Sequence, residues 1–270
     1  MGTDEVFEGQ DLLPHAYTKK VVKVEALKTS ETATTPAVYY KSCECGEISQ
    51  TETFESKNII VFGDSYSAYH STLPTDGWYR VYYDGTNILN SEDQMWFNLL
   101  CAETGDTLLR NDSSSGSSIC YTGYSGGDNS NSFLSFIVRL ESLITKGYFT
   151  ENRIDAVYVL GGTNDSWSGA PLGEEMYSGW TKKDLFNVLP GICYFYSRIR
   201  EVLPNAEIYG IANHVNMKQE VIDVIKHATE NVGGNAVLLQ NISTTSSHPN
   251  LVGMEQICDQ ILAVMNSKEN

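Results

Sequence analysis

Residues 58–65 read NIIVFGDS, an apolar run that ends in a glycine and is followed by two polar residues. A short, uninterrupted apolar run of this kind is typical of a β-strand buried on both faces. Residues 154–160 form a second such strand, which ends at Gly161-Gly162. Strands buried on both faces occur mainly in parallel sheets, so these two stretches predict an α/β domain with helices on either side.

After residue 58 the chain alternates between helical and extended patterns. Apolar residues at helical spacing predict helices over residues 94–104, 133–144, 184–202, 218–231 and 252–265. Shorter apolar runs predict further strands over residues 107–110, 206–212 and 236–240. Ser91 and Thr181 each precede a polar side chain at capping-box spacing and so mark two helix starts. This alternation predicts one parallel sheet covered on both faces, in a main domain over residues 58–270.

Residues 1–57 differ from the rest and predict a small N-terminal β-type module or lead-in segment. Residues 18–36 have no helical stripe, and the run PAVYYKSCECG follows over residues 36–46. The Cys43-x-Cys45-Gly46 turn resembles small modules that precede catalytic domains in surface proteins of anaerobic bacteria. Together with His15 it could hold a metal, but a zinc site takes four ligands, usually in two pairs, and only one pair is present. We therefore expect no metal and no cofactor.

The chain is strongly acidic, with a formal net charge of -16. An acidic surface argues against nucleic acid or an anionic membrane as a partner, because both require basic patches. Hydrophobic residues make up 41% of the chain and charged residues 19%, which is a globular composition. No apolar run reaches the ~18 residues of a membrane-spanning helix, so we expect no membrane insertion.

The start of the chain and its cysteines bear on where the protein works. Residues 1–4 (MGTD) look like a designed start, at which a signal peptide could have been removed, so we expect a secreted or cell-surface bacterial protein. The six cysteines do not indicate a disulfide framework, because a chain of 270 residues does not need one. We expect Cys101, Cys193 and Cys258, which lie in helical segments, to be buried thiols.

Four polar or flexible residues each follow a predicted strand, at the carboxyl ends where ligands of a parallel sheet bind. Ser65 follows the first strand, at a turn that exposes its hydroxyl, and Gly116 follows the second, where the backbone can approach a reacting centre. Asn164 follows the third strand, and its amide can donate to a developing oxyanion. His248 follows the last strand, and a neutral imidazole there can accept the serine proton. Together they predict nucleophilic catalysis.

These blocks, in this order, resemble those of the SGNH/GDSL hydrolases, over about residues 58–265. The resemblance implies a flavodoxin-like three-layer α/β/α sandwich and an esterase activity. It implies that Ser65 is the nucleophile and His248 the base. It further implies an oxyanion hole made by the N–H groups of Ser65 and Gly116 and the side-chain amide of Asn164.

One position departs from the family pattern, which has an aspartate three residues before the histidine. That position is Thr245 here, so the imidazole is oriented either by a hydroxyl or backbone carbonyl, as a Ser–His dyad, or by an acid elsewhere. Asp165, beside Asn164, is a candidate acid, although a structural role in its loop is the simpler interpretation. His70 and His214 are weaker candidates for the base, and His15 and His227 are expected at the surface.

Two aromatic insertions suggest the class of substrate, because exposed Trp and Tyr stack on sugar rings. They supply the candidate substrate-binding residues Trp78, Tyr79, Trp167 and Trp180. The sequence contains no long apolar segment of the kind that forms a lid over a lipid acyl chain. We therefore expect an esterase that removes small acyl groups, such as acetyl, from a carbohydrate or a small acylated molecule. A lipid esterase (lysophospholipase) or thioesterase is the second interpretation, and a non-catalytic carbohydrate-binding surface protein the third.

Overall fold

The computed structural model describes residues 15–123, 133–214 and 217–267. Its first unit is a three-stranded antiparallel sheet of strands β1 (Leu27–Thr29), β2 (Ala37–Ser42) and β3 (Ile48–Ser56). Strand β2 pairs with both neighbours, and its turn to β3 holds the Cys43-x-Cys45-Gly46 motif. The N-terminal segment is thus of the β type that its sequence predicts.

Five parallel strands form the central sheet: β4 (Asn58–Gly63), β5 (Thr107–Ser113), β6 (Ala156–Leu160), β7 (Glu207–Asn213) and β8 (Asn235–Leu239). Their order across the sheet is β5-β4-β6-β7-β8. Counted from β4 this is the 2-1-3-4-5 order of flavodoxin-like folds. The order reverses beside β4, so the crevice at its carboxyl end is where such folds bind ligands.

Seven helices lie in the described part of the chain: α1 (Trp96–Thr104), α2 (Phe136–Thr145), α3 (Tyr148–Glu151), α4 (Thr163–Trp167), α5 (Val188–Val202), α6 (Gln219–Asn231) and α7 (Leu251–Asn266). Helices α2, α5 and α6 pack on one face of the sheet, and α1 and α7 pack on the other. Along β4, Ile60 and Phe62 point to the first group, whereas Ile59 and Val61 point to the second. This alternation explains the uninterrupted apolar run and confirms the three-layer prediction.

Most element boundaries agree with the sequence within a few residues, with two differences of note. Strand β5 runs to Ser113 rather than residue 110, because its polar end is buried beside β4. The helix predicted over 184–202 is interrupted: a 3₁₀ turn spans Asp184–Phe186, and α5 starts after an extended Asn187. Pro190 lies in the first turn of α5, where a missing N–H costs nothing.

The N-terminal sheet contacts the amino-terminal edge of the central sheet. Glu31 accepts hydrogen bonds from Asn58 (2.8 Å) and Arg153 (3.0 Å), and the Lys57 N–H donates to Asp106 (3.1 Å). These contacts lie at the end of the sheet opposite the crevice beyond β4. The two sheets therefore meet away from the candidate site.

Within the described residues, no helix has both the length and the apolarity that crossing a membrane requires. Cys193 and Cys258 are buried as expected, whereas Cys101 is only partly buried.

Candidate active site

Ser65 begins a 3₁₀ turn, Ser65–Ser67, directly after β4. The Asp64 carboxylate caps this turn by accepting the Tyr66 N–H at 3.0 Å. The turn is tight: a Cβ on Gly63 would lie 2.6 Å from side-chain atoms of Ser67 and Ser113, so only glycine fits there. Ser65 is largely buried, at 9% exposed, and lies at the carboxyl end of β4, where the order of the strands reverses.

His248 lies on a two-residue strand, β10 (His248–Pro249), which pairs with β9 (Thr244–Thr245). Its Nε2 is 2.9 Å from Ser65 Oγ, and its Nδ1 is 3.1 Å from the carbonyl oxygen of Ser246. A carbonyl only accepts, so Nδ1 carries the proton and donates to Ser246. Nε2 is then an acceptor facing the serine hydroxyl, which is the arrangement of a general base.

The Ser246–Ser247 turn that joins β9 to β10 has an uncommon backbone. Both residues have positive φ, 51° and 64°, as in the type I′ turns that connect tight hairpins. Non-glycine residues avoid this region, so the turn stores some strain. Its geometry turns the Ser246 carbonyl back onto the ring of His248. Partial burial lowers the pKa of His248, with the Ser246 carbonyl as the opposing influence, and this favours the neutral ring.

The two side chains considered as the third member lie elsewhere. Thr245 is exposed, and its hydroxyl accepts from the Asn250 amide at 3.4 Å. Asp165 is fully buried, and its two oxygens accept the N–H groups of Ile119 (2.8 Å) and Cys120 (3.0 Å). Its carboxylate therefore braces a loop, as the simpler interpretation of the sequence has it. The structure thus places the Ser246 carbonyl at Nδ1, one of the alternatives that the sequence left open.

Three tyrosines that the sequence did not assign hold the histidine segment in place. The Tyr82 ring stacks on His248 with centroids 3.5 Å apart and 14° between the planes. The hydroxyls of Tyr66 and Tyr83 donate to the carbonyls of Ser247 and Pro249, each at 2.9 Å. Two features of the sequence could have indicated these roles: Tyr66 is next to Ser65, and Tyr82 and Tyr83 lie in an aromatic run.

The Gly116 and Asn164 loops meet at Ser117. The Asn164 side-chain amide donates to the Ser117 carbonyl at 2.9 Å and lies 3.4 Å from a carboxylate oxygen of Asp64. Gly116 has φ 76°, a value that favours glycine and fixes the direction of the neighbouring peptides. The structure therefore links both predicted oxyanion donors to the turn that carries Ser65.

A buried ion pair also supports these loops. Asp112, fully buried, binds the guanidinium of Arg139 at 2.8 Å through Oδ1 and that of Arg110 at 2.8 Å through Oδ2. Arg139 further donates to the Asp112 and Gly63 carbonyls and to the Ser117 hydroxyl. One side chain of α2 thus ties the nucleophile turn to the loop after β5. This contact was not predicted from the sequence, because Arg139 lies on a helix far along the chain from Gly63.

Two buried carboxyls lie beneath the site. Burial and, to a smaller extent, the nearby Asp165 raise the pKa of Asp64 to about 7, against the Tyr66 N–H, which favours the charged form. Burial likewise raises the pKa of Asp165, against the N–H groups that favour its charged form. Backbone N–H groups bind both carboxyls, so Asp64 and Asp165 hold the loops of the site in position.

The candidate substrate-binding aromatics occupy different environments. Trp78 and Trp167 are exposed, at 59% and 55%. The Tyr79 hydroxyl is held by Arg110 at 2.7 Å and lies 3.2 Å from Asp112, so it belongs to the ion-pair network. Trp180 packs on the core and donates to the Met176 carbonyl. Trp78 and Trp167 are therefore the exposed rings of this set, and Trp78 also contacts Phe133, with centroids 5.3 Å apart.

The remaining histidines of the described chain are not brought to Ser65. His70 is exposed, with its ring against Tyr69, and His214 is exposed at the end of β7. His227 is exposed and pairs with Glu175 at 3.0 Å. His15 lies beside the Cys43–Cys45 turn.

Comparison with known proteins identifies the family and agrees with the fold. The model of the GDSL-like lipase/acylhydrolase family matches residues 57–265. A structure described as a GDSL-like lipase from Bacteroides ovatus is 34% identical, with TM-score 0.69, over 79% of this chain and 99% of that one. One from Bacteroides uniformis is 33% identical, with TM-score 0.69, over 79% and 97%.

A more distant structure shares the fold. An acetyl xylan esterase from Butyrivibrio proteoclasticus is 16% identical, with TM-score 0.52, over 89% of this chain and 72% of that one. Among proteins with curated descriptions, none matches this chain. The family match and the Bacteroides structures nevertheless confirm the resemblance seen in the sequence. The chain therefore belongs to the GDSL-like lipase/acylhydrolase family, whose members hydrolyse esters.

Proposed function

We propose that this protein is a serine esterase that works through a Ser65–His248 dyad, with the Ser246 carbonyl orienting the imidazole. The observation that carries the proposal is the 2.9 Å contact between His248 Nε2 and Ser65 Oγ, together with the Nδ1 contact to Ser246. A nucleophile in reach of a base, and a base oriented by a third group, is the geometry of activated-serine catalysis.

The proposed reaction has two steps. His248 takes the Ser65 proton as Oγ attacks the ester carbonyl, and the protonated imidazole then gives that proton to the departing alcohol. Water attacks the resulting acyl-serine, with His248 again as the base, and releases the carboxylic acid. The N–H groups of Ser65 and Gly116 and the Asn164 amide would stabilise the oxyanion of each tetrahedral intermediate.

We infer that the substrate is a carbohydrate that carries small acyl groups such as acetyl. The residues around Ser65 are largely polar, with Asp64, Ser117 and Asn164 beside it, which suits a short acyl group better than a long apolar chain. Trp78 and Trp167 are exposed and lie near the site in sequence: Trp78 is four residues before Tyr82, which stacks on His248, and Trp167 ends the helix that carries Asn164. Apolar rings beside a polar crevice suit the faces of sugars. An acylated polysaccharide would place the protein outside the cell.

The acetyl xylan esterase from Butyrivibrio proteoclasticus indicates that this fold supports deacetylation of a polysaccharide. A lipid ester is the second candidate, since the two Bacteroides structures are described as GDSL-like lipases. The length of the preferred acyl chain separates the two candidates. A lipid groove gains about 0.8 kcal/mol per buried methylene, so its kcat/KM would rise several-fold per CH₂.

The test is kcat/KM for p-nitrophenyl esters from C2 to C12, followed by acetate release from acetylated polysaccharides. We expect a maximum at C2 to C4 and loss of all turnover in Ser65→Ala, with unchanged circular dichroism. A maximum at C8 or longer would replace the carbohydrate with a lipid. Equal turnover in wild type and Ser65→Ala would refute Ser65 as the nucleophile. No turnover of any ester by the wild type would refute the esterase and leave a binding protein.

A further inference from the structure

The imidazole of His15 and the thiols of Cys43 and Cys45 converge in the N-terminal sheet. His15 Nδ1 lies 3.3 Å from Cys43 Sγ and 3.4 Å from Cys45 Sγ, and all three atoms lie within 4.8 Å of one another. A tetrahedral zinc ion with bonds of about 2.3 Å to sulfur and 2.0–2.1 Å to nitrogen separates these atoms by about 3.6 Å. The observed spacing is thus close to that of ligands around one ion.

The other ring nitrogen of His15 indicates how Nδ1 is used. Nε2 lies 3.0 Å from a carboxylate oxygen of Glu47, whose other oxygen accepts the Tyr17 hydroxyl at 3.1 Å. A carboxylate only accepts, so Nε2 carries a proton. In the neutral ring Nδ1 then presents one lone pair toward two sulfur atoms. Metal-binding histidines commonly donate their second ring nitrogen to a carboxylate in this way.

The turn between β2 and β3 fixes the two thiols independently of His15. The Cys43 N–H donates to the Glu47 carbonyl at 3.0 Å, and the Gly46 N–H donates to the Cys43 carbonyl at 2.9 Å. Gly46 has φ 89°, which closes the turn tightly. Both cysteines are free thiols, Cys43 buried and Cys45 exposed. The backbone of the turn thus holds both sulfur atoms close together, and His15 Nδ1 lies within 3.4 Å of each of them.

We propose that His15, Cys43 and Cys45 bind a thiophilic divalent ion, Zn²⁺ above all, as a three-ligand site with Glu47 orienting the histidine. The sequence offered one cysteine pair and His15, and favoured no metal; the structure adds the convergence of the three side chains and the Glu47 carboxylate on His15. The site is open on its solvent side, where a water can complete the tetrahedron. Bound metal would fasten residue 15 to the β2–β3 turn, at the end of the molecule away from Ser65.

The test uses the full-length chain, reduced and stripped of metal, titrated with Zn²⁺ and Co²⁺. We expect one ion per chain, and thiolate-to-cobalt charge-transfer absorption in the near ultraviolet. Cys43→Ser and Cys45→Ser should each abolish this absorption, and Glu47→Gln should weaken affinity by roughly 10–100-fold. Glu44→Gln, in the same turn, and Cys101→Ser, a thiol on α1, are the matched controls and should bind as wild type.

The proposal does not depend on the folding of the variants, because the cobalt spectrum of the wild type tests it directly. A reduced wild-type chain without charge-transfer absorption would overturn it. Equal loss of binding in Cys101→Ser would also overturn it, by showing that the metal is held elsewhere. Hydrolysis of a small ester should be the same with and without the ion, since the site lies at the opposite end of the sheet from Ser65.

Discussion

The ring of Tyr82 lies flat on the imidazole of His248, with centroids 3.5 Å apart. This stack fixes the plane of the ring, while the Ser246 carbonyl fixes its rotation through Nδ1. An aromatic face also stabilises the imidazolium that forms when Ser65 is deprotonated. Tyr82 is thus a positioning residue for the proposed base.

Replacement of Tyr82 by leucine should lower kcat roughly fivefold to tenfold, since a cation–π contact is worth about 1 kcal/mol and 1.36 kcal/mol is a factor of ten. Tyr82→Phe keeps the ring and should stay within about twofold of wild type. The measurement is kcat and KM on p-nitrophenyl acetate. Equal losses in both variants would assign the effect to the hydroxyl rather than to the stack.

Proline in the Ser246–Ser247 turn should remove activity. Proline requires φ near −65°, whereas Ser247 has φ 64°. Ser247→Pro should therefore move the Ser246 carbonyl off the ring and lower kcat by at least a hundredfold. Ser247→Gly, which adopts positive φ freely, should keep kcat within about twofold and keep or raise the melting temperature. If the proline variant retains full activity, the turn does not orient His248.

The pH dependence of kcat/KM should report His248. The base acts when neutral, so activity should rise with pH through its pKa, and burial lowers that pKa below its usual 6.5. The midpoint of the acidic limb should therefore lie below pH 6.5. The pKa of His248 is lower in the folded protein than in the unfolded chain. At a pH between these two values the unfolded chain binds more protons than the folded protein, so the contribution of this histidine to stability rises with pH there. A midpoint above pH 7 would contradict a half-buried imidazole that has no carboxylate partner within the described residues.

Loss of the Asn164 amide should affect the transition state. We expect Asn164→Ala to lower kcat by roughly 10²–10³, with a smaller change in KM, because an oxyanion donor acts mainly on the developing charge. Asn152→Ala is a suitable control, since that amide bonds a carbonyl near the amino-terminal end of β6. A large rise in KM at constant kcat would instead place Asn164 in ground-state binding.

Arg139→Met should be strongly destabilising, because it leaves Asp112 buried with only part of its pairing. Breaking a buried pair costs about 3–5 kcal/mol, against about 0–1 kcal/mol for an exposed pair. Lys226→Met removes such an exposed pair with Glu230 and is the control. Urea denaturation monitored by circular dichroism measures the free energy of unfolding of each variant. Similar midpoints for the two variants would show that the Arg139 network contributes little.

The sequence by itself determined the layers of the fold and the order of the site loops. Short apolar runs such as residues 58–62, bounded by glycine, are typical of strands covered on both faces, and strands joined by helices favour a parallel sheet. Parallel strands bring their carboxyl ends to one edge, which is why Ser65 and His248 could be placed together although 183 positions separate them. Asn164 follows a strand of the same sheet, so the same reasoning placed it at that edge.

Only the tertiary structure decided what surrounds those residues. The partner of His248 Nδ1 is a carbonyl, which every residue carries, and its direction depends on the positive φ of Ser246 and Ser247. The Tyr82 stack and the Arg139 network depend on how loops and helices pack across long stretches of chain. The same holds for His15, which reaches Cys43 and Cys45 through the folding of the N-terminal segment onto the β2–β3 turn. Sequence pattern records periodicity and chemistry along the chain, whereas these contacts are set by the backbone angles and packing of the folded molecule.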